Sequence, residues 1–177
     1  KDRIVSLSKP YIRPIVRGKE TKSVEFGAKV NKLQVDGISF IEHFSYDAFN
    51  EGTRLKNCIG LHQQLFGKCT HHSGDKIYAT NANRSYCSSK KIITNFEPKG
   101  KQKVQHIEQS KIMRNALNKE RGTRLEGSFG NEKNHYLLQK VNARNAITEK
   151  CWIFFGIMTA NAAIIANRKQ AAIKAAA

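Results

Sequence analysis

Residues 24–44, VEFGAKVNKLQVDGISFIEHF, carry the clearest secondary-structure pattern in the sequence. The first part, VEFGAKV, alternates strictly, so four apolar residues share one face of a strand: Val24, Phe26, Ala28 and Val30. The second part, GISFIEHF, is rich in residues that favour strands. Asp36-Gly37 between the two parts has the chemistry of a tight hairpin turn. The stretch therefore predicts two antiparallel strands.

A helix follows the hairpin. The stretch TRLKNCIGLHQQLFG has Leu55, Ile59, His62 and Phe66 at helical spacing. Thr53 is expected to cap the start of this helix, and Gly67 is expected to end it.

Further along, GDKIYATNANRSYCSSKKIITNF predicts a strand that ends at Asp75, a polar helix from about Asn81, and a strand over residues 92–96. Helical patterns then cover residues 107–119, the region around Glu126, and a long segment from about Thr148. Because strands dominate early and helices late, we expect an α/β (α+β) fold with a mixed sheet covered by helices.

Two regions differ in composition. Residues 1–23 include the basic stretch KPYIRPIVRGKETKS, which holds two of the three prolines and has no periodic pattern. We interpret residues 1–23 as a basic connector or arm. Residues 24–177 have a length that suits one domain.

The charge balance favours a polyanionic partner. The chain has 31 Lys and Arg against 14 Asp and Glu, a formal net charge of +17. Solubility alone requires a net charge of only about 2 to 8 in magnitude. The excess indicates nucleic acid or an acidic membrane surface, and we favour nucleic acid.

The cysteines and the apolar runs exclude several classes of protein. Four cysteines without a CxxC pair indicate neither a disulfide framework nor a redox motif, so reduced thiols in the cytoplasm are expected. A zinc site remains an alternative, although the spacing fits no common finger: Cys58, His62, Cys69 and His71 or His72. The apolar run Cys151–Ala166 has 16 residues and contains Asn161, short of the roughly 18 that indicate a membrane span. We predict a buried helix and no membrane contact.

Two acidic residues are candidates for chemistry. Asp75 stands where a strand is predicted to end, which suits a functional carboxylate, a turn or a helix cap. Glu126 lies in the basic stretch RLEGSFGNEK, where it either forms a surface ion pair with Arg124 or Lys133 or binds a metal ion. In the second case Lys133, about two helical turns away, would bind phosphate.

Several segments resemble one protein family. GDKIYATNANRSYC, RLEGSFGNEKNHYLL and WIFFGIMTANAAIIA are similar to the catalytic C-terminal half of insertion-sequence transposases of the DDE superfamily. RIVSLSKPYIRPIVRGK and VEFGAKVNKLQVDGISFIEHFSYDAFNEG also resemble segments of one bacterial branch, so the resemblance covers nearly the whole chain. It implies an RNase H-like fold in which two Asp and one Glu hold two Mg²⁺ ions, with Mn²⁺ as an alternative.

Residue by residue, the resemblance matches Asp75 to the second Asp, Glu126 to the Glu, and Lys133 to the Lys of a Glu-x6-Lys signature. The signature places an Arg four residues before the Glu, where this chain has Gly122, so Arg121 or Arg124 is expected to substitute. The basic loop EPKGKQKVQ adds further cations that we expect to contact DNA: Lys99, Lys101 and Lys103.

The first Asp of the family has no counterpart in the matched segments. The resemblance places it on a strand upstream of the hairpin, so we expect the sheet to lack its first strand. Asp2, Asp36 and Asp47 have no strand context, and turn chemistry explains Asp36 without catalysis.

The resemblance implies an enzyme that cleaves DNA strands and transfers them to a target. Its partners would be duplex DNA at the element ends and the target, and its location the bacterial cytoplasm at the nucleoid. A homodimer stays an open alternative. Two other functions remain: a truncated, inactive remnant that only binds DNA, and a basic RNA-binding protein, which explains the charge but not the matched segments.

Overall fold

The structure is a computed structural model, and it describes residues 4–16, 24–100 and 104–176 of the 177-residue chain. Residue contacts divide the chain into two units. The first unit consists of Lys1–Phe49 and Ser128–Ala177, and the second of Asn50–Gly127. The prediction of an arm over residues 1–23 and one domain over residues 24–177 stays a prediction.

The described residues contain six strands and five α-helices. The strands are β1 (Pro14–Val16), β2 (Val24–Phe26), β3 (Lys29–Val35), β4 (Ile38–Ser45), β5 (His71–His72) and β6 (Ile93–Thr94). The α-helices are α1 (Leu55–Phe66), α2 (Asn81–Ser89), α3 (Val104–Glu120), α4 (Gly127–His135) and α5 (Ala146–Ala176). Two 3₁₀-helices, Glu51–Arg54 and Lys76–Tyr78, and one π-helix, Arg121–Glu126, complete the elements.

The predicted hairpin is present in the first unit. Strands β3 and β4 pair antiparallel, from Lys29 opposite Ser45 to Val35 opposite Ile38. Asp36 and Gly37 have φ angles of 47° and 79°, which is the pattern of the tight turn that fits the twist of a hairpin. The turn prediction is confirmed.

The prediction that VEFGAKV forms one continuous strand is wrong. Gly27 has a φ of 126°, a conformation that other residues rarely adopt, and it ends the strand there. Residues Val24–Phe26 form β2, which pairs with β1 rather than with the hairpin. The segment predicted to be an arm therefore contains a strand, β1.

Helix α5 has one buried face. The residues on this face are Glu149, Ile153, Ile157, Ala160 and Asn161. The other face exposes Ile147, Phe154, Phe155 and Ile165. The prediction of a buried helix is therefore correct for one face only. By length and composition α5 is also able to cross a membrane, a test that core helices of soluble proteins pass too.

The second unit begins with a cap that differs from the predicted one. The side chain of Asn50 accepts a hydrogen bond from the Gly52 backbone N–H at 2.9 Å and starts the 3₁₀-helix that leads into α1. Thr53 is not the cap, because its hydroxyl donates to the Asn50 carbonyl instead. Gly67 ends α1 with a φ of 80°, as predicted.

A strand–helix–strand segment follows, as predicted. Strands β5 and β6 pair in parallel, and α2 lies between them in the chain. Strand β5 ends at His72, three residues before the predicted end at Asp75. The core of this unit is one cluster of buried residues: Leu55, Ile59, Cys69, Tyr78, Cys87, Ile92 and Phe96.

The strands form three separate two-stranded sheets. The mixture of helices and strands confirms the α+β character of the prediction. A single mixed sheet covered by helices is not found in the part of the chain that the structure describes. The RNase H-like arrangement stays a prediction.

Candidate functional site

Asp75 lies at the start of the 3₁₀-helix Lys76–Tyr78 in the second unit. Its Oδ1 accepts a hydrogen bond from the Lys76 backbone N–H at 2.6 Å, so the residue acts as a cap. Its side chain is exposed, and within the described residues Oδ2 accepts no hydrogen bond. One carboxylate oxygen is therefore available to a ligand.

The loop that carries Asp75 is fixed by polar contacts. Asn95 accepts a hydrogen bond from the Gly74 N–H at 3.0 Å and donates to the Gly74 carbonyl at 2.9 Å. The Asn95 amide also donates to Asn118 Oδ1 on α3 at 2.8 Å, and the Ser73 hydroxyl donates to the Leu117 carbonyl at 2.9 Å. The sequence gives no sign of these supports, because the partners are 21 to 44 residues apart.

Glu126 is the last residue of the π-helix. Its Oε1 lies 2.7 Å from Nη1 of Arg121, five residues earlier. In an α-helix, residues five apart point about 140° away from each other. The wider π-helix, which bonds residue i to residue i+5, brings them onto one side. The partner predicted from sequence, Arg124 or Lys133, is therefore wrong.

The cations of the predicted DNA contact differ in how they are paired. Arg121 pairs with Glu126, and Arg124 pairs with Glu120 at 2.8 Å. Lys99 donates to Asn81 Oδ1 at 2.7 Å. Lys133, in the first unit, is exposed, and its side chain has no hydrogen bond or ion pair with any described residue. Lys101 and Lys103 lie outside the described residues.

Such pairs hold their cations weakly. Side-chain exposure is 26% for Arg121 and 54% for Glu126. Exposed ion pairs of this kind stabilise a protein by about 0 to 1 kcal/mol. A phosphate group or a metal ion can therefore compete for either partner.

The fit to a divalent metal is incomplete. Carboxylate oxygens are the ligands that Mg²⁺ prefers, and Asp75 and Glu126 both supply them from the second unit. No hydrogen bond or ion pair joins the two residues or links them to a common partner. Across residues 4–16, 24–100 and 104–176, no group of three or more His, Cys, Asp or Glu side chains is placed to hold an ion. The described residues that form no such group include the zinc candidates Cys58, His62, Cys69, His71 and His72.

The other acidic candidates do not complete the set. Asp36 lies in the hairpin turn, where its carboxylate accepts from Arg168 at 3.0 Å. Asp47 is exposed in the segment after β4. Asp2 lies outside the described residues. Neither described residue is in a strand, so the position of the first family Asp stays unmatched.

His72 is half-buried and packs against the core of the second unit, and Cys69 and Cys87 are part of that core. Burial lowers the pKa of His72 to about 4, and its Nε2 has no hydrogen-bond partner. The ring packs against Tyr78 and Phe96, with centroids 6.1 Å away in both cases. Burial raises the pKa of Cys87 to about 11, with a further contribution from Cys69. These groups are neutral at pH 7.

Comparison of the chain with protein-family models, with curated proteins and with solved structures finds no match. The resemblance of residues 74–87 and 124–138 to a transposase family thus rests on the sequence segments themselves.

Proposed function

We propose that the chain belongs to the RNase H-like catalytic domain of a DDE transposase, an enzyme that uses metal ions to cleave DNA strands and transfer an insertion sequence. The observation that carries the proposal is the stretch RGTRLEGSFGNEK, residues 121–133, in which an exposed Glu126 follows two arginines and precedes an exposed Lys133. This order of residues is similar to the family signature. The partner is duplex DNA at the bacterial nucleoid.

The distribution of charge supports a nucleic-acid ligand. A net charge of +17 exceeds what solubility requires, and Arg121 and Arg124 each form an ion pair with an exposed glutamate. Arginine and lysine side chains neutralise phosphates and release counterions from DNA. Lys133 is free of partners among the described residues and is available for one phosphate.

Asp75 and Glu126 are the residues proposed to hold Mg²⁺ or Mn²⁺. When bound, such an ion activates water and stabilises the departing oxygen in phosphodiester cleavage. Asp75 offers Oδ2 and Glu126 offers Oε2, because among the described residues only Oδ1 and Oε1 have partners. If Glu126 turns from Arg121 to the ion, Arg121 becomes free to bind phosphate.

A second candidate function is a catalytically inactive DNA-binding remnant. It is favoured by the ion pair that holds Glu126 and by the lack of three grouped acidic side chains in the described residues. This candidate predicts DNA binding that does not depend on Asp75 or Glu126.

One experiment separates the two candidates. The affinity of the chain for a labelled DNA duplex is measured by fluorescence anisotropy with and without Mn²⁺, and nicking of supercoiled plasmid is followed under the same conditions. The transposase proposal expects Mn²⁺ to strengthen binding and to permit nicking. Both effects should disappear in Glu126→Gln and Asp75→Asn, where Asn still caps the 3₁₀-helix.

Glu120→Gln is the matched control. Glu120 lies six residues before Glu126, is similarly exposed, and also pairs with an arginine. The variant Glu120→Gln should therefore bind DNA more tightly in the presence of Mn²⁺, as the unmodified chain does. A response to Mn²⁺ that survives in Glu126→Gln, or no response in the unmodified chain, would exclude the enzyme and leave the remnant. If the chain binds duplex DNA more weakly than duplex RNA, both the transposase and the DNA-binding remnant are excluded.

A further inference from the structure

A buried polar network joins β3, β4, α4 and α5 within the first unit. Nζ of Lys32 lies 2.7 Å from Oε1 of Glu132 and donates to the Ser128 hydroxyl at 2.7 Å. Ser39 contacts the same Glu132 oxygen at 3.4 Å. Asn161 on α5 bonds both backbone groups of Ser39, each at 2.8 Å. The side chains of Lys32 and Glu132 are 1% and 6% exposed.

An ion pair this deeply buried is not explained by stability alone. Removing both charges from water costs several kcal/mol per ion, and an apolar pair of similar volume is often as stable or more so. Lys32 also lies over the ring of Phe129, 4.0 Å from its centroid. The network surrounds both charges with fixed partners, which suits a role in orienting the elements that carry them.

Helix α4 needs such an orienting contact. Its sequence, GSFGNEKNH, has Phe129 as its one large apolar residue and contains two glycines. A helix with so small an apolar face has little hydrophobic force to fix its rotation about its own axis. The contacts of Ser128 and Glu132 with Lys32 supply a directional constraint instead.

The direction of Lys133 follows from that of Glu132. Successive residues in an α-helix point about 100° apart. With Glu132 held in the interior, Lys133 is turned to the surface, where it is exposed and unpaired among the described residues. A different rotation of α4 would move Lys133 towards the interior or along the surface.

We infer that the Lys32–Glu132 pair is a positioning device that holds Lys133 in place for a DNA phosphate. Lys32 and Glu132 act through Lys133 and do not themselves contact the nucleic acid. The inference rests on the proposed function, because it requires Lys133 to bind phosphate.

A double-mutant cycle tests this coupling. Lys133→Gln is measured in the unmodified chain and in the Lys32→Met/Glu132→Leu background, which removes both buried charges together. The readout is the salt dependence of binding to a short DNA duplex. In the unmodified chain, loss of one phosphate contact should reduce the slope of log K against log salt by about 0.9. In the double-variant background, Lys133→Gln should change the slope little, because α4 no longer presents Lys133 correctly.

Lys140→Gln is the matched control, since Lys140 is an exposed lysine outside α4. Its effect on the slope should be the same in both backgrounds. If the double variant does not fold, Ser128→Ala, which removes one hydrogen bond to Lys32, takes its place and should reduce the effect of Lys133→Gln in part.

The outcomes separate the inference from the proposed function. An equal effect of Lys133→Gln in both backgrounds, or an undiminished effect beside Ser128→Ala, overturns the positioning role and leaves DNA binding intact. No effect of Lys133→Gln in the unmodified chain removes the proposed phosphate contact, and the inference with it.

Discussion

For Glu126, the sequence predicts the exposed carboxylate but not its ion-pair partner. Its place among cations is visible in RLEGSFGNEK, and the exposed carboxylate is where that pattern predicts it. Its partner is not visible, because the pairing with Arg121 depends on a π-helix. No simple residue pattern predicts a turn with hydrogen bonds from residue i to residue i+5. Such turns frequently occur at functional sites.

The position of Asp75 also differs from the one predicted from the sequence. The sequence places it at a strand end, whereas the strand ends at His72 and Asp75 caps a 3₁₀-helix. Asn95, just after β6, bonds the backbone of Gly74 next to it, and Asn118 on α3 bonds Asn95 in turn. The position of the loop that carries Asp75 depends on these long-range hydrogen bonds, which local periodicity does not predict.

At this scale, His72 provides a prediction about pH. Burial lowers its pKa from 6.5 to about 4. Between these pH values the unfolded chain binds a proton that the folded chain does not, so the free energy of unfolding decreases as the pH falls from about 6.5 towards 4. The full contribution, present above pH 6.5, is about 3 kcal/mol, since a tenfold change in proton affinity corresponds to about 1.4 kcal/mol.

Urea unfolding followed by circular dichroism at a series of pH values measures this effect. His72→Phe, which keeps an aromatic ring beside Tyr78 and Phe96, should remove most of the decrease. His71→Gln, at the exposed neighbouring histidine, is the control and should retain it. An unchanged pH dependence in His72→Phe would show that the His72 ring is hydrated in the folded chain.

At the scale of elements, local patterns predict most of the helices and the hairpin. Asp36-Gly37 sets the turn, Gly67 ends α1, and α2 begins at the predicted Asn81. The failures have local physical causes. Gly27 adopts a positive φ and divides VEFGAKV, and Asn50 replaces Thr53 as the cap because a 3₁₀-turn precedes α1.

Replacing two of the glycines by alanine should change the free energy of unfolding in opposite directions. A Cβ at Gly130 in α4 would meet no atom within 4 Å, so Gly130→Ala should raise the free energy of unfolding by about 0.4 to 1 kcal/mol. A Cβ at Gly52 would collide with the backbone carbonyl oxygen of Ile77, so Gly52→Ala should lower it by about 1 to 3 kcal/mol.

Thermal unfolding followed by circular dichroism distinguishes these two changes. The melting temperature should rise for Gly130→Ala and fall for Gly52→Ala. A fall for both would mean that α4 requires the flexibility of Gly130, and a rise for both would contradict the close contact at Gly52.

At the scale of the whole molecule, composition is more informative than pattern. The net charge of +17 is a direct property of the sequence and motivates the DNA ligand. The arrangement of sheets is not predicted: one mixed sheet is expected, whereas the described strands form three separate pairs. Strand pairing depends on contacts between distant segments, which periodicity in a single sequence does not encode.

The charge leads to a prediction about salt. If several lysines and arginines bind phosphates, log K for a DNA duplex should fall linearly with log salt, with a slope of about −0.9 for each phosphate neutralised. Titrations by fluorescence anisotropy at several salt concentrations measure the slope. A duplex RNA of the same sequence is the control at matched salt. A shallow slope, or tighter binding to RNA, would argue against DNA as the ligand.

The most direct test of the central claim is a crystal structure of the chain soaked in Mn²⁺, read from the anomalous signal of the metal. The proposal expects an ion bound by one carboxylate oxygen each of Asp75 and Glu126, at about the 2.0 to 2.1 Å typical of Mg²⁺. An ion held elsewhere, or Glu126 still paired with Arg121 and no ion beside Asp75, would contradict the metal site and leave a DNA-binding protein without strand-cleaving chemistry.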